Sequence, residues 1–561
     1  MTRSHYVALA LALALVVLPA TATGSGRKVQ SEQYVVLYAQ GASLAAARHA
    51  VEAAGGRILK ENTAVGVATV TTAKARFLAN VMKHPALQGA ARNAPVGRQT
   101  PLARAKRLNP ELLTQAERAS ARSVAALRRS AAVAAEPLAG LQWDMAMIHA
   151  TAAGSYAMQE GERGVRVGIL DTGVDGTHPD IAPNFDATLS RNFTTDIPAI
   201  DGACEHPSCV DPANEDDNGH GTHTAGTVGA ALNGLGIAGV APNVTIVNLR
   251  AGQDSGFFFL QPTVDALTYA ADHGIDVVNM SYFIDPWLYN CAANPADSAA
   301  QQLEQRTIVA ATNRALKYAY KHGVTLIASE GNEHTDTGHP TSDDTSPDYP
   351  PNSEYHRTVD NSCVTVPTEG THVISVGAVG PSTMKADYSN WGTEQTVVTA
   401  PGGYFRDGLG TPSFRTAQNL VLSTYPESLA IANGDLNPDG SPTNPFVVRD
   451  CQGGTCAYYQ YLQGTSMASP HAVGVAALIV SQFGHPDHGK KSGQLTMKPK
   501  DVEKILRRTA TDHACPDPPT ISYAAVGRPA EFDATCTGTT DFNSIWGEGI
   551  VDALAAVSAK H

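Results

Sequence analysis

Three short segments of this sequence carry an aspartate, a histidine and a serine in settings that could support catalysis. Asp171 follows the apolar run VRVGIL, His220 lies in the segment NGHGTH, and Ser466 opens the segment SMASPHAVGVAAL. A serine hydroxyl becomes a good nucleophile when a histidine accepts its proton, and a carboxylate can hold that histidine in the required orientation. The three residue types therefore indicate acyl-transfer chemistry. Taken singly, each has an ordinary alternative: a turn residue, a metal ligand and a helix cap.

The elements predicted around these residues would present their side chains at one edge of a sheet. Residues 165–170 are apolar and rich in β-branched side chains, which predicts a buried strand that ends at Asp171. In doubly wound sheets the functional crevice lies at the carboxyl ends of the strands. His220 and Ser466 each begin a run that predicts a helix, and the positive end of the second helix would favour an oxyanion beside Ser466.

The order of the three residues along the chain, Asp then His then Ser, is also that of the subtilisin-like serine proteases. Residues 140–561 resemble that family, and residues 33–98 resemble its inhibitory propeptide. Five further segments support the resemblance: DVVNMS at 276–281, ASEGN at 328–332, HVISVGAV at 372–379, TAPGG at 399–403 and WGEGIVDALAAV at 546–557. The implied fold class is α/β, a subtilisin-like doubly wound, mostly parallel sheet with helices on both faces, preceded by a small α+β propeptide domain.

The resemblance implies a role for each candidate catalytic residue. Ser466 would be the nucleophile of a serine endopeptidase, His220 its general base and acid, and Asp171 the carboxylate that orients the histidine. Asn332 would donate its side-chain amide to the oxyanion, together with the backbone N–H of Ser466. The chemistry requires no cofactor.

Substrate contacts are expected from four residues. By resemblance, Ser281 and the residues after it line the pocket for the side chain before the cut, where Phe283 replaces a small residue. Glu330, just before the Gly331-Asn332 turn, would make that pocket acidic, together with Glu333 after it. Gly256 lies in the segment DSGFFFL, 254–260, which is expected to form a strand that pairs with extended substrate, although a core strand is the alternative.

A structural calcium ion is a further expectation from the resemblance. Asp180 in HPD matches a calcium ligand of the family, and Asn233 lies in the matching loop LNGLGIAG. Carboxylate and carbonyl oxygens suit this hard cation. A second acidic run, 215–217, could also bind a cation, but we interpret it as a solvated loop.

The chain is expected to contain four segments. Residues 1–22 form a secretory signal peptide, with Arg3 before an apolar stretch and Ala20-Thr21-Ala22 as a cleavage site. Residues 30–98 form the propeptide domain, for which the order β-α-β-β-α is predicted. Residues 99–136 are a basic linker in which maturation cleavage occurs, with the mature chain starting near 137–141. Residues 137–561 form the peptidase domain.

The net charge of the chain changes sign between the predicted linker and the predicted peptidase domain. Residues 1–135 contain 18 Lys and Arg against 5 Asp and Glu, whereas the rest of the chain contains 22 against 48. A basic front could bind nucleic acid, but the lack of aromatic residues beside its arginines and the signal peptide argue against that. We therefore expect no nucleic-acid partner. The opposite charges favour a propeptide that binds its own peptidase domain as an intramolecular inhibitor.

The eight cysteines all follow residue 200, as expected for disulfides in an exported protein. Their spacing suggests the pairs 204–209, 451–456 and 515–536, which leaves 291–363. A zinc site is the alternative, but the two-residue Cys spacing of such sites is missing. Long polar insertions at 285–305, 334–362, 403–460 and 511–544 are interpreted as disulfide-pinned loops around the cleft.

The signal peptide predicts a secreted, extracellular protein, a monomer is expected, and the composition is that of a globular protein. Hydrophobic residues make up 43% and charged residues 17%, which is ordinary for a globular protein. Internal apolar runs are shorter than the ~18 residues of a membrane span, so no stable span is expected. Protein or peptide substrates follow from the resemblance. Two alternatives remain: a catalytically silent binding protein of the same fold, and an esterase or peptide ligase that uses the same three residues.

Overall fold

The computed structural model describes residues 32–93, 113, 115–121, 136–486 and 494–560. The predicted signal peptide lies outside these residues, as does most of the predicted linker.

The first described unit is a small α+β domain. It has the order βαββαβ, with a sheet in which β1 pairs antiparallel with both β3 and β4. A fourth strand was not predicted, and the second helix is only five residues long. The elements are β1 (Glu32–Tyr38), α1 (Leu44–Ala54), β2 (Arg57–Asn62), β3 (Val67–Thr72), α2 (Phe77–Val81) and β4 (Leu87–Arg92).

Two short helices lie between the small domain and the central sheet along the chain. α3 (Gln115–Ala119) lies within the predicted linker and α4 (Trp143–Met147) at the start of the predicted peptidase domain. Near α3, the side chain of Leu113 is buried in a hydrophobic cluster of the large domain, and Glu117 forms an ion pair with Arg406 at 2.8 Å. This part of the predicted linker is therefore packed on the protein.

A seven-stranded parallel sheet forms the centre of the large domain. The order across the sheet is β15-β14-β10-β8-β5-β7-β6, and it reverses beside β5, which pairs with both β7 and β8. This reversal creates a crevice at the carboxyl ends of the strands. The strands are β5 (Arg166–Leu170), β6 (Arg191–Asn192), β7 (Thr245–Arg250), β8 (Val277–Met280), β10 (Thr325–Ser329), β14 (Val373–Val379) and β15 (Val398–Pro401).

Helices cover both faces of this sheet, which confirms the predicted α/β class. One face packs against α5 (His220–Gly229), α9 (Thr465–Phe483), α10 (Pro499–Arg508) and α11 (Ala553–Val557). The other packs against α6 (Leu260–Asp272) and α7 (Ala299–Lys321), which also contact the small domain. Among the described helices, α9 has the length and hydropathy of a membrane span, but it is 89% buried as the central helix of the core.

The insertions contain most of the remaining elements. A three-stranded antiparallel sheet with the order β16-β18-β17 occupies the insertion before Ser466, together with α8 (Glu427–Ala432). Its strands are β16 (Val421–Thr424), β17 (Val447–Gln452) and β18 (Thr455–Leu462). The other strands are two residues each: β9 (Asn290–Cys291), β11 (Ser342–Asp343), β12 (Arg357–Thr358), β13 (Cys363–Val364), β19 (His485–Pro486), β20 (Leu495–Thr496), β21 (Thr520–Ile521) and β22 (Ala534–Thr535).

All eight cysteines are paired as predicted, which confirms four disulfides. Three of them close short segments, and Cys291–Cys363 joins residues 72 positions apart. This last bond ties β9 to β13, and so fixes one insertion to another.

Candidate active site

Asp171 lies at the carboxyl end of β5, where the strand order of the sheet reverses. Its side chain is fully buried, and its Oδ1 accepts a hydrogen bond from the backbone N–H of Thr172 at 2.7 Å. Burial raises the pKa of the Asp171 carboxyl, while the neighbouring His220 and this N–H oppose the rise. The carboxylate thus depends on its partners to remain ionised.

His220 is the first residue of α5, and its ring faces Asp171. The Nδ1 atom lies 2.6 Å from Asp171 Oδ1, so that Nδ1 carries the proton and Nε2 is the nitrogen that can act as a base. The close approach of α5 to β5 requires glycine at 221, because a Cβ there would lie 2.0 Å from the carbonyl oxygen of Gly173. The Asp-His pair is therefore built into the packing of a helix against a strand.

Ser466 lies in the first turn of α9, which packs against α5. Its Oγ is 3.4 Å from the carbonyl oxygen of Ser281, at the end of β8. The Ser281 hydroxyl in turn donates to the carbonyl of Ser466 at 3.2 Å. These contacts hold the start of α9 against the sheet, so that the N-termini of α5 and α9 meet at the same edge.

Asn332 follows β10 and is held by Thr465, the neighbour of Ser466. Its Oδ1 accepts hydrogen bonds from both the backbone N–H and the hydroxyl of Thr465, each at 2.9 Å. The Thr465 hydroxyl also accepts from the N–H of Gly331 at 3.1 Å. With its oxygen bound in this way, the Asn332 amide has its Nδ2 as the end that can donate to an oxyanion. Sequence reasoning missed Thr465, although its position beside Ser466 was a signal.

Asp216 is a second residue that the sequence analysis missed, since it lies in the acidic run interpreted as solvated. It is buried, and its two oxygens accept from the Thr172 hydroxyl, from the N–H of Gly219 and from both the N–H and the hydroxyl of Thr222. These bonds fix the loop before His220 to the loop after Asp171. An aspartate shortly before a predicted helix start is the sequence signal that could have identified it.

The expected pocket residues after β8 pack into the protein. Tyr282 is buried, and its ring stacks on that of Phe258 with the centroids 4.0 Å apart. Phe283 is half-buried against the cluster that contains the disulfide Cys291–Cys363. The structure thus places Ser281 beside Ser466, and Phe283 beside an insertion.

Gly256 does not lie in a strand, contrary to the expectation for residues 254–260. It has φ = +84°, and its N–H donates to the carbonyl of Gln253 in a tight turn. The aromatic residues after it are buried in hydrophobic clusters, and Leu260 already begins α6. The run FFF has the composition of a strand, but its side chains are buried in hydrophobic clusters and hold the preceding turn in place. Asn218, two residues before His220, donates to the Asp254 carbonyl in this turn at 2.8 Å.

Glu330 lies inside the protein and does not provide the expected acidic pocket. Glu330 is 2% exposed, and its Oε1 accepts a hydrogen bond from the Thr396 hydroxyl at 2.6 Å. Burial raises the pKa of Glu330 to about 8, so the carboxyl is neutral at pH 7. Glu333 has a structural role as well, because its carboxylate accepts from the N–H of Asn332 at 2.9 Å.

The expected calcium ligands Asp180 and Asn233 are arranged to suit hydrogen-bond donors. Asp180 accepts from the Tyr459 hydroxyl at 2.7 Å, from the Ile237 N–H and from the Asn233 side-chain NH2. The Asn233 oxygen is bound to the Leu235 N–H at 2.9 Å.

The loop around Asn233 directs other N–H groups at carboxylates. Gly234 donates to Glu136 at 3.2 Å and Gly236 to Asp450 at 2.9 Å. A calcium ion requires converging oxygens with free lone pairs. The donor set here does not fit calcium.

The insertion before Ser466 forms one wall beside His220. The hydroxyls of Ser423 and Thr424 donate to carbonyls of α5, each at 2.7 Å. Leu429 of α8 lies next to Gly219, since a Cβ on that glycine would be 3.0 Å from the leucine Cδ1. The insertion therefore borders the start of α5 beside His220.

Comparison with known sequences agrees with this arrangement. Residues 162–527 match the sequence profile of the Subtilase family. Subtilisin DY of Bacillus licheniformis is 29% identical over 348 residues, which cover 62% of this chain and 84% of that protein. Fervidolysin of Fervidobacterium pennivorans is 28% identical over 352 residues, which cover 62% of this chain but only 37% of that longer protein.

Solved structures share the fold. The epidermin leader peptide processing serine protease of Staphylococcus aureus has a TM-score of 0.60 and 20% identity, over 95% of this chain and 100% of that one. The fervidolysin crystal structure has a TM-score of 0.55 and 22% identity, over 95% of this chain and 61% of that one. At these identities the likeness concerns the fold alone.

Proposed function

The chain belongs to the Subtilase family and is a serine endopeptidase, and we propose that it uses Asp171, His220 and Ser466 as its catalytic triad. The observation that carries this proposal is the 2.6 Å hydrogen bond between His220 Nδ1 and the buried carboxylate of Asp171. That bond fixes the tautomer in which Nε2 can accept the serine proton.

The proposed reaction proceeds through an acyl-enzyme. Ser466 Oγ attacks the peptide carbonyl as His220 accepts its proton, and the C–N bond then breaks as His220 returns the proton to the leaving amine. In the second half water attacks the ester as His220 accepts its proton, and the C–O bond to Ser466 then breaks as His220 returns the proton to Ser466 Oγ, which releases the carboxylic acid product. Asn332 Nδ2 and the N–H of Ser466 would stabilise the oxyanion of each tetrahedral intermediate.

We also propose that the small domain is an inhibitory propeptide and that the chain is exported as an inactive precursor. The interface supports this proposal. Apolar residues of the small-domain sheet share a hydrophobic core with α6 and α7. Arg314 of α7 donates to the carbonyls of Tyr38 and Val65 and to the side chain of Gln88.

The small domain is also held by polar contacts at its edges. Lys60 forms an ion pair with Asp265 at 2.7 Å, and the N–H of Arg92 donates to the buried carboxyl of Glu304 at 2.9 Å. Of these two contacts, only the Lys60–Asp265 ion pair joins a basic side chain of the small domain to an acidic side chain of the large domain. Shape and hydrogen bonding therefore contribute to the interface in addition to charge.

The test is secreted expression of the wild type beside Ser466→Ala, followed by intact-mass analysis and a casein assay. We expect the wild type to lose its N-terminal part and degrade casein, and the variant to keep the small domain and remain inert. If both proteins mature alike and neither cleaves peptides, the silent binding protein is the better interpretation. If the wild type hydrolyses only small esters, the esterase alternative is favoured.

A further inference from the structure

A short part of the predicted linker, residues 113–121, lies on the insertion before Ser466. The sheet of that insertion has one face buried in a hydrophobic cluster, to which β18 and the chain around the start of β16 contribute alternate residues. Leu113 belongs to this cluster and is 7% exposed, and Ala121 packs against it. Both ends of the segment are therefore seated on one face of the sheet. The sheet residues on this face are Leu420, Leu422, Ala457, Tyr459 and Tyr461.

The opposite face of the same sheet points towards the nucleophile. Val421 of β16 and Leu462 of β18 pair directly, and they form a separate cluster with Met467, the residue after Ser466. Since successive residues of a strand point to opposite faces, Leu113 and Met467 lie on different sides of the sheet. The surface under residues 113–121 is thus distinct from the candidate active site.

Glu117 makes a charge contact that runs against the overall charge of the chain. It is one of 5 acidic residues among residues 1–135, which are mainly basic, and it meets two arginines of the acidic large domain. Its Oε1 lies 2.8 Å from Arg406 Nη2 and 3.8 Å from Arg528 Nη2. The side chains of Glu117 and Arg406 are 16% and 11% exposed, so solvent screens this pair less than an ordinary surface ion pair. General attraction between a basic and an acidic part does not explain this contact, which is specific.

Arg118 adds a contact of a different kind. Its guanidinium lies over the ring of Phe446, 5.0 Å from the ring centroid, in the geometry of a cation–π interaction. Phe446 belongs to the same hydrophobic cluster as Leu113. The large domain thus receives a leucine, a glutamate four positions later and an arginine directly after it. This combination of apolar, acidic and basic contacts is a recognition pattern.

The far side of the expected cleavage region packs against the same cluster. Leu138 and Leu141, at the start of the large domain, are both in contact with it. A cut between residues 121 and 136 therefore leaves the segment 113–121 on the N-terminal part of the chain. When that part dissociates, apolar side chains and two arginines of the large domain become exposed together. Exposed apolar patches with a polar rim typically mark protein or peptide interaction sites.

We propose that this surface, formed by the cluster around Phe446 together with Arg406 and Arg528, is a second peptide-binding site of the protein. Its occupant in the precursor is the chain's own segment 113–121. Once that segment leaves, the site takes peptides of the same pattern, an apolar side chain followed four residues later by an acidic one. The inference takes its precursor from the proposed function, but binding at this site requires no catalysis.

The experiment measures binding of a fluorescent peptide with the sequence of residues 109–123 by fluorescence anisotropy. The host is the full chain with Ser466→Ala, which prevents self-digestion, and with Leu113→Asp, which keeps its own segment off the surface. Ser466→Ala alone is the matched host in which the segment stays bound. A host with Leu113→Ala serves as a second open form if Leu113→Asp does not fold.

Three variant peptides separate the contacts on the open host. Leu113→Asp removes the apolar side chain, Glu117→Gln removes the charge, and Ala119→Gln changes an exposed position as the control. Because only the peptide is changed, these comparisons do not depend on the folding of further protein variants.

We expect the unchanged peptide to bind the open host with Kd on the order of 100 µM. Leu113→Asp should weaken binding at least about tenfold and Glu117→Gln about threefold or more, whereas Ala119→Gln should bind normally. The host with its own segment in place should bind at least about tenfold more weakly, because a tethered occupant competes at high effective concentration.

Equal affinity for all four peptides, or for the open and closed hosts, would overturn the proposal. So would the absence of binding to both open hosts when they are folded. These results are independent of the catalytic proposal, because every host lacks the Ser466 hydroxyl. A wild type that is inert on casein would contradict the proposed function and leave the binding result as it stands.

Discussion

Thr465 connects the two halves of the oxyanion site. It precedes Ser466 in the chain, and its N–H and hydroxyl both bind the side-chain oxygen of Asn332. The helix that carries the nucleophile thereby also orients the amide that would donate a hydrogen bond to the oxyanion. A small displacement of that amide would weaken a bond made only in the transition state, and so would lower kcat more than it raises KM.

Replacement of the Thr465 hydroxyl tests this positioning role. We expect Thr465→Val to lower kcat about tenfold with KM nearly unchanged, because the backbone N–H still holds Asn332. Asn332→Ala should lose about 10²–10³ in kcat. Thr465→Ser keeps the hydroxyl and should stay close to wild type. Steady-state kinetics on a peptide substrate measure all three, and a normal kcat for Thr465→Val would show that the clamp is unimportant.

Glu330 gives the protein a pH-dependent stability. Its folded pKa of about 8 lies above the ordinary value of 4.5, so the folded state holds a proton that the unfolded chain releases. The stabilisation is complete below pH 4.5 and is lost as the pH rises towards 8. Lys385, with its pKa lowered by burial to about 7, acts in the opposite sense at higher pH.

A comparison with Glu330→Gln isolates this effect. The amide keeps the bond to Thr396 but cannot ionise, so the variant should become more stable relative to wild type as the pH rises from 5 to 8. Thermal unfolding at several pH values measures the difference between the two proteins. A constant difference across this range would mean that Glu330 is ionised in the native state.

At the level of elements, α7 connects the two domains. Its Arg314 makes three hydrogen bonds across the interface, two of them to backbone carbonyls of the small domain. The binding surface is thus on a helix that packs against the central sheet. Inhibition by the small domain should therefore depend on this helix and be separable from the catalytic residues.

The matched pair Arg314→Ala and Lys317→Ala tests the interface. Both residues lie on α7, and Lys317 is exposed. The purified small domain, added to the mature enzyme, should inhibit Arg314→Ala at least about tenfold more weakly than wild type, because charged hydrogen bonds are lost. Lys317→Ala should be inhibited normally. Equal inhibition constants for all three enzymes would exclude Arg314 as an anchor.

The elements that carry the candidate triad were predictable because their patterns are local. Residues 165–170 form a short apolar run typical of a buried strand, and the glycines around His220 indicate a close approach of the backbone to another element. β4 was missed because LQGAAR has no clear strand pattern of its own and is completed by its pairing with β1. The run FFF at 257–259 was misread because its length and composition suit a strand, whereas its rings are buried in separate clusters.

Long-range partners explain the errors at the site. Glu330 is next to Gly331 in the chain, but its partner Thr396 is 66 residues away and lies inside the protein. Tyr459, which binds Asp180, is 279 residues away and belongs to an insertion. A family resemblance assigns the calcium ligands position by position. It does not show that a distant side chain, here Tyr459, forms a hydrogen bond with one of those residues.

On the scale of the whole molecule, the start of the large domain is hydrogen-bonded to the loop 233–238, which faces Asp180. Glu136 accepts from the N–H of Gly234, and the N–H of Leu138 donates to the Gly236 carbonyl at 2.7 Å. Gln142 makes two hydrogen bonds with the backbone of Ala238. Residues 136–142 are therefore held along one loop, and this region is also the expected start of the mature chain.

These hydrogen bonds of residues 136–142 predict the position of maturation cleavage. A protease requires an extended, accessible segment, and residues 136–142 are hydrogen-bonded and partly buried. We therefore expect the mature enzyme to begin before Glu136, rather than at 137–141 as the composition change suggested. N-terminal sequencing of the secreted wild type measures this directly. Glu136→Gln should leave the cut in place while weakening the fastening, so that the mature form unfolds at a lower temperature. A mature N-terminus within 138–142 would show that the loop releases this segment during activation.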